Sequence, residues 1–251
     1  MAWFSQRVAQ SVFMLWVVIT VVFLSIYMVP GDPVELLLSQ DGGTPDPAMI
    51  EMVRDQMGLN RPLGQQYREK LWALARFDLG TSLVDNSSIG QEISQRLPRT
   101  LELIVMAGLL SLIIGIPTGV IASQRPGSGF DRVGNLLAGT AQSVPVFVLG
   151  SLMVLLLSQK LRLLPAGGCV LFSQAPLDHF VLLLMPAGAI SVGLSAVVYR
   201  ITRASMLDVL PMDFVRTARA KGLPRAHVIR HHVLRNALMP VITVFALQLG
   251  G

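Results

Sequence analysis

The sequence carries little charge for its length. Only 14% of the 251 residues are Asp, Glu, Lys or Arg, whereas 52% are hydrophobic, and the mean hydropathy is +0.59. A soluble domain carries about 25% charged residues, so too few polar side chains are present to cover a water-exposed surface. The deficit excludes a disordered chain, a coiled coil and an ordinary cytosolic enzyme, and leaves a helical protein embedded in a bilayer.

Cysteine is scarce, and so are ionisable residues within the long apolar segments. Cys169 is the only cysteine, which excludes an internal disulfide and says nothing about the redox compartment. Among the four long apolar segments given below, the only charged residue is Glu102, near the start of its segment. An enzyme acting within the bilayer would place ionisable groups there, so we expect no intramembrane catalysis.

Four apolar segments are long enough to cross a bilayer as α-helices, which takes roughly 20 mainly apolar residues. They are residues 8–29, 101–122, 133–158 and 180–199. Pro117, Pro145 and Pro186 lie inside the last three segments and are expected to kink them. The first segment could also be a signal peptide, but it is longer than a usual signal-peptide core and no small-residue cleavage site follows it.

A fifth apolar stretch, residues 237–251, is too short to cross the bilayer. It would reach only about 22 Å at the rise of an α-helix, and the sequence stops at Gly250 and Gly251. The stretch is either a re-entrant segment or the start of a span that the sequence leaves unfinished, and we favour the second interpretation.

The distribution of positive charge indicates which loops face the cytoplasm. Residues 200–235, which we call the basic loop, hold eight of the 20 Lys and Arg residues. Because cytoplasmic loops are rich in Lys and Arg, the basic loop and, by alternation, the N-terminus are expected inside. Residues 30–100 then lie outside, where ten acidic residues exceed seven basic ones. The net charge of +5 could suggest nucleic-acid binding, but the concentration of Lys and Arg in a cytoplasmic loop explains it better. We therefore expect no nucleic-acid binding.

The external residues 30–100 are predicted to form a small helical segment. A first helix starts at Asp46 and Pro47 and stops at Gly58, a second covers residues 65–77, and a third covers residues 88–97 ahead of the second span. Such a segment could receive a substrate delivered from outside, or it could be a packing collar without ligand contacts.

A short helix is predicted over residues 208–221 of the basic loop. It ends at Gly222, where glycine suits a left-handed backbone conformation. Helical spacing defines two sides: Phe214, Ala218 and Lys221 on one, and Val215, Arg219 and Gly222 on the other. A compact helix with one protruding aromatic ring could enter a groove on a partner. The same arginines would also suit an amphipathic helix lying on anionic lipid.

This helix resembles the cytoplasmic signature loop of ABC importer permeases of the dipeptide and oligopeptide class. The matching residues are Asp213, Phe214, Val215, Arg216, Thr217, Ala218, Arg219, Ala220, Lys221 and Gly222. Further matches follow the same order along the chain: residues 30–33, 57–62 with Tyr67, 78–82, 96–103, 143–147 and 234–240. The acidic position of the general motif E-A-A-x-x-x-G is absent here, which is common in the peptide branch of the family.

The resemblance implies an all-α membrane protein with the transmembrane domain of a type I ABC importer, in a bacterial inner membrane. The chain then divides into an N-terminal span (residues 1–29), the external helical segment (residues 30–100) and a core permease domain (residues 101–251) that contains the basic loop. Five spans are expected in the chain, the fifth incomplete, and a sixth beyond it.

The resemblance also implies a permease subunit that imports di- or oligopeptides, with nickel or glutathione as the alternative substrate. The helix of the basic loop would dock in a cleft of a separate ATP-hydrolysing subunit and transmit its closure to the spans. Expected partners are a homologous second permease subunit, two ATPase subunits and an external substrate-binding protein. The chain has no phosphate-binding loop of the form G-x-x-x-x-G-K-S/T. ATP and Mg²⁺ are therefore expected in the ATPase subunits, with no cofactor on this chain.

Two other functions fit parts of the sequence. His227 and His231 have the H-x-x-x-H spacing of a zinc pair, with His232 beside them, but no acidic base lies between them and no third ligand is evident. A channel or membrane scaffold fits the composition but gives the docking helix no role. We therefore expect neither a metal site nor an enzymatic activity, and the sequence does not locate substrate-binding residues.

Overall fold

A computed structural model of the chain describes residues 2–28, 34–35, 46–56, 58–82 and 87–249. The described residues form helices joined by loops, and the only β-bridge among them pairs Thr81 with Ser88. Backbone packing divides the chain into two units, Met1–Arg96 and Leu97–Gly251. The predicted all-α class is confirmed.

In the first unit, the third helix packs along the second half of the first. The helices are α1 (Ala2–Met28), α2 (Pro47–Gln56) and α3 (Leu63–Ala75). The hydroxyl groups of Tyr67 and Thr20 share a hydrogen bond of 2.6 Å, and the Tyr67 ring lies 5.2 Å from that of Phe23. The Tyr27 hydroxyl also donates to Gln66. Tyr67, one of the residues that carry the family resemblance, therefore anchors α3 to α1.

The ends of α2 and α3 follow the local sequence signals. The Asp46 carboxylate accepts a hydrogen bond of 3.0 Å from the amide of Ala48 at the start of α2, and Gly58 has φ +68° just after its end. Helix α3 lies slightly earlier in the chain than the predicted residues 65–77. Both predicted helices are thus confirmed. Met57 and the matched residues 30–33 lie outside the described part of the chain.

Arg61 and Gln66 stabilise the turn between α2 and α3. The Arg61 guanidinium lies 2.8 Å from the Glu69 carboxylate, and the Gln66 amide donates to the carbonyl groups of Leu59 and Arg61. A hydrogen bond from Gln65 and the charge of Arg61 keep the pKa of Glu69 below its ordinary value. The matched residues 58–62 therefore shape the turn that leads into α3.

One long helix, α4 (Ile89–Gln124), replaces two predicted elements. The sequence predicts residues 88–97 and the span 101–122 as separate helices, and that prediction is wrong. Pro98 lacks the N–H that would bond one turn earlier, but the helix is continuous on both sides of it, so one missing bond does not end it. Glu102 is partly exposed on this helix, and its carboxylate lies 3.4 Å from Nε2 of His179.

The third predicted span is broken near Pro145. Helix α5 (Gly129–Ser143) and helix α6, which comprises Val146–Met153 and the π-helix Val154–Lys160, meet at an angle of 101°. Val144 takes an extended conformation (φ −92°, ψ 123°), which residues before proline prefer. The prediction of a single kinked helix over residues 133–158 is therefore wrong, because Pro145 separates two helices.

The last helices are α7 (Pro176–Val209), α8 (Asp213–Ala220) and α9, which comprises Arg225–His227, the π-helix Val228–Val233 and Leu234–Leu249. Among the described residues, α1, α4 and α7 are long and apolar enough to cross a membrane, and the bent pair α5–α6 would make a fourth crossing. The first, second and fourth predicted spans thus coincide with long apolar helices. The unfinished fifth span stays a prediction, and Gly250 and Gly251 lie outside the described residues.

Helices α4 and α7 cross so closely that larger side chains are excluded from the contact. A Cβ atom on Gly115 would lie 2.7 Å from Cβ of Val198. One on Gly119 would lie 2.8 Å from Cβ of Thr202 and 2.8 Å from the carbonyl oxygen of Tyr199. Small residues at helix crossings are typical of membrane bundles. The crossing holds the second half of α7, which leads into the basic loop, against α4.

Candidate functional site

The basic loop contains the end of α7, the short helix α8 and the start of α9. Helix α8 begins at Asp213, whose carboxylate suits the positive end of the helix dipole, after Met212 in an extended conformation (φ −65°, ψ 150°). The predicted start at residue 208 is wrong, because Asp208 belongs to α7 and the chain turns at residues 210–212. The helix before Gly222 is confirmed.

Gly222 ends α8 in a left-handed conformation, with φ +79°. Its amide donates to the Arg219 carbonyl at 2.9 Å, and the amide of Leu223 reaches back to the Ala218 carbonyl at 3.4 Å. Apart from the adjoining residues, no atom of the described part of the chain lies within 4 Å of where a Cβ of residue 222 would stand. The requirement for glycine at this position is therefore one of backbone conformation and not of space.

One face of α8 is buried against the neighbouring helices. Val215 is fully buried and Ala218 is 7% exposed. They share a cluster with Met206 and Val209 of α7 and with Val228, Ile229, Val233 and Ala237 of α9. The predicted sides of the helix are partly wrong, because Ala218 lies with Val215 and not with Phe214. Residues three apart also share a helical face, and the small Ala218 side chain fits against the cluster.

The exposed face of α8 begins at the edge of the buried one and carries an aromatic ring among charges. Phe214 is 40% exposed, and the predicted protruding ring is thus confirmed. Arg216 lies 3.6 Å from Asp213 in an exposed ion pair, and Arg219 and Lys221 are exposed beyond it. Such a ring can fill an apolar pocket on a partner while the cations contact its acidic rim. The exposed face is therefore a candidate docking surface.

The basic loop also contacts the end of α4. Val120 packs against the cluster that buries α8, and the Arg225 guanidinium donates to the carbonyl of Gln124 at 3.4 Å. A groove of about 690 Å³ lies between these elements, with Arg219, Arg225 and Ile229 among its lining residues. Helices α4, α7 and α9 thus support α8 from its buried side.

An ion pair between the start of the basic loop and α5 could not be predicted from the sequence. Arg203 of α7 donates two hydrogen bonds to the carboxylate of Asp131 on α5, at 2.5 Å and 2.8 Å. Asp131 is 3% exposed and also accepts from the amide of Gly127 (2.8 Å) and the side chain of Asn135 (2.9 Å). The only local signal is Ser128, three residues before Asp131 and capping α5. Nothing in the sequence pairs Asp131 with a residue 72 positions later.

The histidines of α9 do not converge on a common point. The rings of His227 and His231 stack with their centroids 4.2 Å apart and their planes 19° from parallel. In the described part of the chain, no three His, Cys, Asp or Glu side chains are grouped so that they could hold a metal ion. The H-x-x-x-H spacing here therefore corresponds to a ring stack on one face of a basic helix.

Two family descriptions match the chain. Residues 115–251, which include the basic loop, match the family described as binding-protein-dependent transport system inner membrane component. Residues 1–104 match the N-terminal family of membrane components of the same transport systems. The two matches together cover nearly the whole chain.

Individual relatives agree with these matches. A Brucella abortus (strain 2308) protein named as a peptide transport system permease is 37% identical over 250 residues, which cover 98% of this chain and 79% of the relative. The dipeptide transport system permease DppB of Escherichia coli (strain K12) is 37% identical over 91% of this chain and 74% of its own length. The glutathione transport system permease GsiC of Pectobacterium atrosepticum is 36% identical over 99% of this chain and 78% of its own length.

Proposed function

Because the chain belongs to the binding-protein-dependent transport system inner membrane component family, we propose that it is the permease subunit of an ATP-driven importer of di- or oligopeptides. The family consists of transport permeases and not of enzymes. The observation that carries the proposal is the exposed face of α8, where Phe214 lies among charged residues within the matched residues 115–251. Relatives named for peptide and dipeptide transport support the substrate class.

The proposed assembly contains a homologous second permease subunit, two ATPase subunits and an external substrate-binding protein. ATP and Mg²⁺ would bind in the ATPase subunits, since the sequence has no phosphate-binding loop of its own. In this assembly the N-terminus and the basic loop lie in the cytoplasm. The concentration of eight Lys and Arg residues in the basic loop supports that orientation.

Within residues 213–222, some side chains would dock on the ATPase subunit and others would transmit its movement to the spans. On the exposed face, Phe214 would fill a pocket of the ATPase subunit. On the buried face, the side chains of Val215 and Ala218 pack directly against α7 and α9. Gly222 holds the end of the helix through its left-handed conformation. A helix attached in this way moves as one piece, which is what transmission between distant sites requires.

Removal of the exposed ring tests the docking role. Phe214→Asp should abolish co-purification of the ATPase subunit with the detergent-solubilised permease. Burying an unpaired carboxylate in an apolar pocket is unfavourable. Phe77→Asp is the matched control, since Phe77 is 93% exposed and lies outside the basic loop. Retention of the ATPase subunit by Phe214→Asp would contradict docking through this face.

Glutathione is the second candidate substrate, because the relative named for glutathione transport matches 99% of this chain. Competition against uptake of a labelled dipeptide by the reconstituted complex separates the candidates. We expect inhibition by unlabelled di- and oligopeptides and little inhibition by glutathione or Ni²⁺. Uptake of labelled glutathione or Ni²⁺ without any uptake of the dipeptide would replace the peptide assignment and leave the permease role intact.

A further inference from the structure

The contact between α5 and α7 extends beyond the Asp131–Arg203 ion pair. Tyr199, one helical turn before Arg203, is 4% exposed, and its hydroxyl donates to the backbone carbonyl of Asp131 at 3.4 Å. Its ring covers Gly134 so closely that a Cβ there would lie 2.5 Å from the hydroxyl oxygen. The two helices are therefore held at two successive turns, and sliding one along the other would break both contacts.

The same end of α7 is attached to α8. Met206 and Val209 follow Arg203 by three and six residues, or about 4.5 and 9 Å at the rise of an α-helix. Met206 is fully buried and Val209 is 7% exposed, both in the cluster that buries Val215 and Ala218. A short continuous path of packed groups thus runs from α8 through the end of α7 to Asp131 on α5.

An ion pair is suited to carry a displacement along this path. The guanidinium and carboxylate meet at two points, which fixes their orientation as well as their distance. Separating them would take the counter-charge away from the almost fully buried Asp131 carboxylate, which is costly. The pair therefore resists changes in the relative position of α5 and α7 more strongly than an apolar contact that can slide.

On the basis of the proposed function, we propose that Asp131 and Arg203 are positioning residues that couple movement of α8 to α5. When the ATPase subunits close and displace α8, α7 moves with it, and the ion pair carries α5 along. Helix α5 ends at the 101° bend before Pro145, so its displacement changes the broken α5–α6 element. Neither residue contacts the ATPase subunit or the substrate in this scheme.

The test is the number of peptides transported per ATP hydrolysed by the complete complex in proteoliposomes. Asp131→Asn removes the charge and should lower this ratio at least about fivefold, the lower end of typical coupling between sites. Arg203→Lys keeps the charge but loses the two-point contact, so it should assemble normally and also lower the ratio. Glu92→Gln is the matched control, because it breaks an exposed ion pair with Arg96 on α4. It should leave the ratio unchanged.

The ratio separates coupling from stability. A merely structural defect reduces the amount of assembled complex, so transport and ATP hydrolysis fall together and the ratio stays constant. An unchanged ratio in Arg203→Lys, or in Asp131→Asn where it assembles, would overturn the coupling role and leave the proposed function standing. If the unmutated complex shows no ATP-dependent peptide uptake, the proposed function fails first and the coupling role fails with it.

Discussion

The crossing of α4 and α7 makes a quantitative prediction for Gly119→Ala. The new Cβ would lie 2.8 Å from the Thr202 side chain and 2.8 Å from the Tyr199 carbonyl oxygen, which belongs to the backbone and cannot rotate away. Overpacking of this kind costs about 1–3 kcal/mol, and the backbone contact favours the upper half of that range. Replacing glycine by alanine inside a helix returns up to about 1 kcal/mol. The net destabilisation should be about 1–2 kcal/mol.

The matched control is Gly193→Ala on α7, where no atom beyond the adjoining backbone of the helix lies within 4 Å of the new Cβ. This variant gains helix propensity without a clash, so it should be neutral or slightly more stable. The assay is unfolding of the purified permease in detergent, followed by its thermal midpoint. We expect a lower midpoint for Gly119→Ala and an unchanged or higher one for Gly193→Ala. Equal midpoints for the two variants would refute the close crossing.

Three further variants test the basic loop. Met206→Ala should destabilise the permease by about 2–5 kcal/mol in the same unfolding assay, because it empties a fully buried position in the cluster under α8; no change would contradict that packing. Gly222→Ala should cost about 1–2 kcal/mol, because alanine must adopt φ +79°, and a neutral effect would show that the left-handed conformation is not required. A zinc-selective chelator should not affect peptide uptake, either by the unmutated complex or by His231→Ala. Inhibition of the unmutated complex by the chelator would reveal a metal requirement.

Features governed by a few neighbouring residues could be predicted from the sequence. Asp46 and Gly58 bound α2, and Gly222 ends α8, because caps and left-handed stops depend on local backbone geometry. The outcome at each proline could not be predicted. Pro98 stays inside α4 while Pro145 separates α5 from α6, although both directly follow an apolar residue. A proline removes one backbone hydrogen bond in either case, and the residue type alone does not show whether the helix continues past it.

Contacts between distant segments could not be predicted either. Asp131 and Arg203 are 72 residues apart, and helical periodicity records only which residues share a face of one helix. The side of α8 on which Ala218 lies could not be predicted for the same reason. Helical spacing allows it to share a face with Phe214 or with Val215. Only the packing of α7 and α9 against α8 settles which side is buried.

The most direct test of the permease account is ATP-dependent uptake of a labelled dipeptide by proteoliposomes that contain the complete complex. Uptake should require ATP and the external binding protein, and Gly222→Trp should abolish it while the complex still assembles. That substitution faces open space, so its effect would act through the backbone conformation that ends α8. Uptake without ATP, or undiminished uptake by Gly222→Trp, would contradict coupling through α8.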